Sequence, residues 1–427
     1  MTKVYRNSTE IMNLHGVPIY MSDMLEACLI GRLNLFLQGD TGSGKTQLAR
    51  DAMSYFPPER SLFILGRNDM DTRELFQQIN LEKLREGRTS SELKELTDKV
   101  NTNLIVVDEL PNCVPAVRAQ LFNLFDGFVE INGRPYKIGN GYSVGIATGN
   151  IGQKFTESTN ELGRALKDRM HVIIDTDYFH PNASDTLEIL AGNTNPRVEF
   201  SEDSEDKSKD IIAKHNSLTS AEIPLEKLLV ANYLIHGLDY CSKGSKRKMK
   251  DNWPNQLENN ELGSDVGLVL PVSIRAAKSI IRLSQSLDKI VEEKGIPREV
   301  IERGYFDSMM QAYKFVSAYS GVLNEASVQA NYLGDRYAAL DAVIATTRTQ
   351  FEEQAGNIAK GLDMVKSEKL NKNVLDAFTD RWTFMQDTLK KLVENSEVTP
   401  QSLKNNDKFF GGKKWNTQYQ KYLWEGL

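Results

Sequence analysis

Gly39-Asp-Thr-Gly-Ser-Gly-Lys45-Thr46 follows an apolar run, Leu33 to Leu37, and opens a segment with helical spacing, Gln47 to Met53. Gly-x4-Gly-Lys-Ser/Thr between a strand and a helix is the signature of a phosphate-binding loop. The glycines let backbone N–H groups turn inward, and the positive end of the following helix dipole favours an anion at the same point. Lys45 is expected to reach the β- and γ-phosphates, and the Thr46 hydroxyl to ligate magnesium. The stretch therefore implies ATP or ADP with Mg2+, contacted by Gly39, Asp40, Thr41, Gly42, Ser43, Gly44, Lys45, Thr46 and Gln47.

Outward from this loop, helical and short apolar segments alternate from Tyr20 to about Tyr178. The strand runs are Leu33 to Leu37, Leu62 to Leu65, Leu104 to Val107, Val144 to Ala147 and Val172 to Ile174. Nearly continuous apolar runs of this length fit strands buried on both faces, so the expected class is α/β, a parallel sheet flanked by helices. The run Leu104 to Val107 ends in Asp108-Glu109. Acids at a buried strand end need a cation, which suggests Asp108 as a magnesium holder and Glu109 as the base that polarises an attacking water. The run Ser143 to Asn150 ends in an amide that could bond a γ-phosphate or that water.

The chain has 427 residues, 40% of them hydrophobic, enough for two or three domains with real cores. A formal charge of -6 leaves nucleic acid possible but unsupported, because phosphate contacts need dense local Lys and Arg. Cys28, Cys113 and Cys241 are scattered and in no metal-ligand spacing, which suits a reducing compartment. The N-terminus has no basic-then-apolar leader, and no apolar run is long enough to span a membrane, so a cytoplasmic protein is expected.

Polar, acidic composition between Pro181 and Asp210 reads as a linker or exposed loop. Helical spacing then dominates, over Leu225 to Tyr240, Val272 to Leu287 and Arg298 to Gly321. Ser242 to Leu262, with Lys243, Lys246, Arg247, Lys248 and Lys250, reads as a long basic loop. Apolar positions from Leu333 to Ile344 and from Val374 to Leu392 suggest two long helices, an antiparallel pair.

These elements in this order resemble the AAA+ ATPases, from about Leu33 to Leu323. The run from Asp108 to Gly127 is similar to the MoxR-like group of the helix-2-insert branch. Phe128 to Ile138, two alternating segments around Asn132-Gly133, resembles the hairpin which that branch inserts into helix 2, facing a central pore. The resemblance implies an arginine finger at Arg169, with Arg164 its local competitor, and a sensor-2 arginine at Arg275. Residues 66–73 and the last hundred residues depart from the group's pattern.

The expected organisation is a nucleotide-binding domain over 1–180, an acidic linker over 181–207, a helical lid over 208–324 and a C-terminal helical extension over 325–427. The resemblance implies ATP hydrolysis at the interfaces of a homo-hexameric ring that remodels or activates a protein, such as a von Willebrand A domain partner. A nucleic-acid motor or defence-type ATPase is a second expectation, with Arg134 and Lys137 against Glu130 on the hairpin. A third is a nucleotide-gated scaffold with little turnover.

Overall fold

Each of the five apolar runs named above supplies a strand to one parallel sheet. The computed structural model describes residues 9–67, 77–79, 94–96, 98–131, 134–150, 169–192, 206–238 and 267–394. Arg164, Asn132-Gly133, Cys241, the basic segment 242–262, most of 66–73 and the tail from residue 399 lie outside them. The chain divides into two units, Met1–Asn13 with Pro18–Thr219, and Leu14–Val17 with Ser220–Leu427.

Along the chain the first unit runs β1 (Glu10–Leu14), β2 (Val17–Tyr20), α1 (Met21–Gly31), β3 (Leu35–Gln38), α2 (Lys45–Met53) and β4 (Ser61–Leu65). Then come β5 (Gln77–Ile79), β6 (Lys94–Leu96), β7 (Leu104–Asp108), α3 (Pro115–Phe125), β8 (Phe128–Ile131) and β9 (Arg134–Lys137). It ends with β10 (Val144–Gly149), β11 (Val172–Asp175), α4 (Ala183–Gly192) and α5 (Ser208–Ser220).

The main sheet has the order β11-β3-β10-β7-β4, with every neighbouring pair parallel. Its three inner strands β3, β10 and β7 are buried along their whole length, whereas β4 at the edge alternates. That contrast explains why the inner strands read as unbroken apolar runs. Fully burying one of their large side chains stabilises the unit by about 1.5–3 kcal/mol. Parallel pairing also brings the carboxyl ends of β3, β7 and β10 to one edge of the sheet, where open α/β sheets bind ligands.

Two local assignments differ from the sequence reading. The resemblance puts the hairpin 128–138 in the second helix, yet β8–β9 follows α3 and lies between the third and fourth strands of the sheet in chain order. Where helix follows strand, a second helix belongs between the second and third strands, and the antiparallel pair β5–β6 lies there. Inside the expected linker, Ala183–Gly192 is helical, started by Asn182, whose side chain accepts from Asp185 N at 2.9 Å. Within the first unit, α5 packs through His215, whose Nδ1 lies 3.0 Å from Ile30 O and whose ring meets Tyr142 edge-on.

The second unit is helical: α6 (Leu225–Asn232), α7 (Ile274–Glu293), α8 (Arg298–Arg303), α9 (Tyr305–Ser317), α10 (Glu325–Tyr332), α11 (Arg336–Lys366), α12 (Lys372–Asp376) and α13 (Phe384–Glu394). The first of the two long helices expected toward the C-terminus is α11, 31 residues and so about 46 Å long. The second is broken into α12 and α13, because Trp382 turns inward against Tyr233 and Phe351 with ring centroids 5.0 Å from each. A fully buried Lys227 donates to Asp288 at 2.5 Å and Ser284 at 2.9 Å, satisfying a charge that would otherwise be costly inside a helical core.

Candidate functional site

The loop between β3 and α2 bends as its glycines require. Gly42 and Gly44 take φ of 84° and 78°, and Gly44 is the residue before the first turn of α2. Lys45 is buried and its Nζ donates to Gly39 O at 3.0 Å, Asp40 O at 2.7 Å and Ser43 Oγ at 3.2 Å. From the far side the turn after β11 grips the same loop: Asp40 N donates to Asp177 Oδ2 at 2.6 Å, and Ser43 Oγ lies 2.8 Å from Thr176 Oγ1. Thr41 N donates to Asp40 Oδ1 at 2.7 Å, and Gln47 Nε2 donates to Asp51 one helical turn on, at 2.8 Å.

Asp108, at the end of β7, is buried, and its Oδ1 accepts from Thr46 Oγ1 at 2.9 Å and from Thr148 Oγ1 at 2.5 Å. Glu109 is exposed and sits in the left-handed region with φ 56°. Its N–H donates to Thr148 Oγ1 at 3.1 Å, and its Oε2 accepts from Asn112 Nδ2 at 2.8 Å. Two glycines let other segments close on this pair. A Cβ at Gly66 would lie 2.5 Å from Glu109 O, and one at Gly149 would lie 2.4 Å from Pro111 Cδ. Asn150 follows β10, half-buried, at the same sheet edge.

Lys45, Thr46, Asp108, Glu109 and Asn150 thus lie at the same end of the sheet. Arg169 is elsewhere in the same unit, its Nε 2.9 Å from Asp126 Oδ2 and its guanidinium over the Phe122 ring. Arg275 belongs to the second unit, exposed in the first turn of α7 behind the Ser273 cap. Sequence reasoning passed over Thr148, Asn112, Thr176 and Asp177. Of these only Thr148 carried a signal, a hydroxyl inside an apolar strand two residues before Asn150.

Hard oxygen donors such as Thr46 Oγ1 and the Asp108 carboxylate suit Mg2+, which binds through one or two protein oxygens plus substrate phosphates and water. The described residues contain no cluster of three or more His, Cys, Asp or Glu arranged to hold a metal. Cys113 is buried four residues beyond Glu109, and burial pushes its thiol pKa up, as it does at Cys28, so neither is set up as a nucleophile.

Residues 34–170 match the model of the AAA domain, dynein-related subfamily, a span that includes the loop, the acid pair, Asn150 and Arg169. These residues form an AAA+ domain. Among solved structures, this chain is similar to a candidate ATPase from Cytophaga hutchinsonii, with a TM-score of 0.51 and 17% identity over 76% of this chain and 88% of that one. At that identity the likeness is one of fold. A full-length MCM homologue from Methanopyrus kandleri has a TM-score of 0.43 and 12% identity over 70% of this chain and 55% of that one. No curated protein matches the chain significantly. Among the described residues, no helix is long and apolar enough to cross a membrane.

Proposed function

We propose that this chain is a MoxR-like AAA+ ATPase that hydrolyses ATP with Mg2+ at the interfaces of a hexameric ring and uses the motion to remodel or activate a partner protein. The observation that carries the reading is the linked set Lys45, Thr46, Asp108 and Glu109 at the carboxyl ends of β3 and β7. Lys45 would exchange the loop carbonyls Gly39 O and Asp40 O for phosphate oxygens. Thr46 and Asp108 would hold the metal, which when bound offsets charge on the transferring phosphoryl group. Glu109, exposed beside them, would polarise the attacking water, and Asn150 would orient it.

Arg169, held by Asp126, would serve the neighbouring subunit's γ-phosphate, and Arg275 the nucleotide of its own subunit. A head-to-tail contact that closes by rotation gives each site its finger, which is the reason for proposing a ring. The MoxR-like resemblance supplies the protein partner, of von Willebrand A type. Buried, unpaired Cys28 and Cys113 suit a reducing compartment, so the proposal includes a cytoplasmic location.

The test is steady-state ATPase rate against protein concentration for the wild type, Glu109→Gln and Arg169→Ala, with mass photometry on the same samples. Activity that rises with ring formation and is lost in both variants supports the proposal. A dilute wild-type monomer that hydrolyses ATP at full rate, or an unaffected Arg169→Ala, refutes the ring and the finger. Assembly on ATP with negligible wild-type turnover would instead favour the scaffold.

A further inference from the structure

We infer that Thr148 is a positioning residue for the acid pair, one hydroxyl that fixes the metal-binding carboxylate and the backbone of the water-polarising one together. This rests on the roles proposed for Asp108 and Glu109. Thr148 is buried in β10, and the register that sets Ala147 beside Val107 brings it alongside Asp108. Its Oγ1 lies 2.5 Å from Asp108 Oδ1 and 3.1 Å from Glu109 N. An amide N–H can only donate, so Thr148 accepts there, and its single hydrogen is committed to Asp108. Thr46 donates to the same Oδ1 at 2.9 Å, and two hydroxyls on one oxygen hold the carboxylate against rotation.

The second bond acts on Glu109, whose φ of 56° and ψ of 42° are disfavoured for a residue with a Cβ. Anchoring its N–H keeps the backbone in that turn and so sets the direction in which the exposed side chain leaves it. The Asn112 amide then holds the carboxylate end at 2.8 Å. Valine at 148 would keep the branched shape while removing both bonds, leaving the part-buried Glu109 N–H without this acceptor and the Asp108 carboxylate held, among the described residues, by Thr46. A hydrogen bond to a charged group carries enough free energy that its loss should lower kcat about 10- to 100-fold.

The experiment compares Thr148→Val, Thr148→Ser and Thr148→Ala with the wild type and Glu109→Gln. It measures kcat, KM for ATP, the Mg2+ concentration for half-maximal rate, thermal melting, and binding of a fluorescent ATP analogue in EDTA. The expected result for Thr148→Val is a lower kcat and a raised Mg2+ requirement, with metal-free analogue binding retained, and recovery of most of the rate in Thr148→Ser. If Thr148→Val does not fold, the same readouts are taken on Thr148→Ala. A Thr148→Val enzyme within about twofold of wild type in kcat and Mg2+ requirement, while Glu109→Gln is inactive, overturns the inference and leaves the site reading standing. Equal loss in Val and Ser variants, with lowered melting and lost analogue binding, assigns Thr148 a structural role only and also overturns it. A fully active Glu109→Gln removes the underlying reading together with the inference.

Discussion

Replacing Gly149 with alanine would put one methyl group against the ring of Pro111, which lies two residues beyond Glu109. The new Cβ would stand 2.4 Å from Pro111 Cδ and 2.5 Å from Cγ, where ordinary contact begins at 3.4 Å. Both neighbours are closely held, since β10 is an inner strand and Leu110 and Pro111 are buried. Relief therefore requires a shift of about 1 Å by the turn that carries Glu109 and Asn112. Overpacking of this kind costs about 1–3 kcal/mol, and each kcal/mol lowers the melting temperature of a unit this size by about 2–4 °C. A misplacement of about 1 Å near the chemistry costs roughly 100-fold in rate, so kcat should fall far more than the stability loss explains. The assay pairs thermal melting with kcat and KM for Gly149→Ala and for Gly361→Ala. The latter Cβ would lie 2.6 Å from Leu389 Cδ1 in the second unit. Lower melting with kcat within about twofold of wild type for Gly149→Ala would refute the argument that this glycine sets the position of the acid turn.

Two further outcomes follow from the second unit. Asp288→Asn should destabilise it by about 3–5 kcal/mol, because the fully buried Lys227 is left without its counter-charge, and Lys227→Met should cost less. Urea unfolding of both variants checks the order, and an equal or reversed order refutes it. His15, whose ring lies 3.2 Å from Ser308 Oγ, has its pKa lowered by burial, partly opposed by Asp288 and Asp307 and assisted by Lys227. The unfolded chain then binds the proton more tightly, so this contribution is intact above about pH 6.5 and is lost as pH falls from there through the lowered folded value. His15→Gln should flatten the stability profile between about pH 7.5 and 5.5, and an unchanged slope would show that another group carries it.

The first unit was legible where burial is two-sided or where chemistry demands a fixed spacing. The runs at Leu104 and Val144 had to be central strands because polar residues there would be buried on both faces, and Lys45-Thr46 had to begin a helix at a phosphate loop. Contacts set by strand order were hidden. Thr176 and Asp177 reach the loop because β11 pairs with β3, a neighbour about 137 positions away in sequence that no local pattern reports. Helix α4 escaped notice because its exposed Leu187 and Leu190 sit among polar residues whose composition resembles a linker. In the second unit the apolar period showed helices, but the break before α13 depends on the inward turn of Trp382 into a cluster formed with distant Tyr233 and Phe351.

Helix α11 has a mechanical consequence of its own. A continuous hydrogen-bonded rod of 31 residues resists bending, so rotation at one end is delivered almost undiminished to the other. Over about 46 Å, a tilt of about 5° carries the far end roughly 4 Å. The helix is gripped by Ala318 and Glu325 through Arg336 at one end, and Leu389 of α13 closes on Gly361 near the other. A small adjustment at the Arg336 end would therefore emerge beside α13 as a stroke of roughly 4 Å, the reach of a lever.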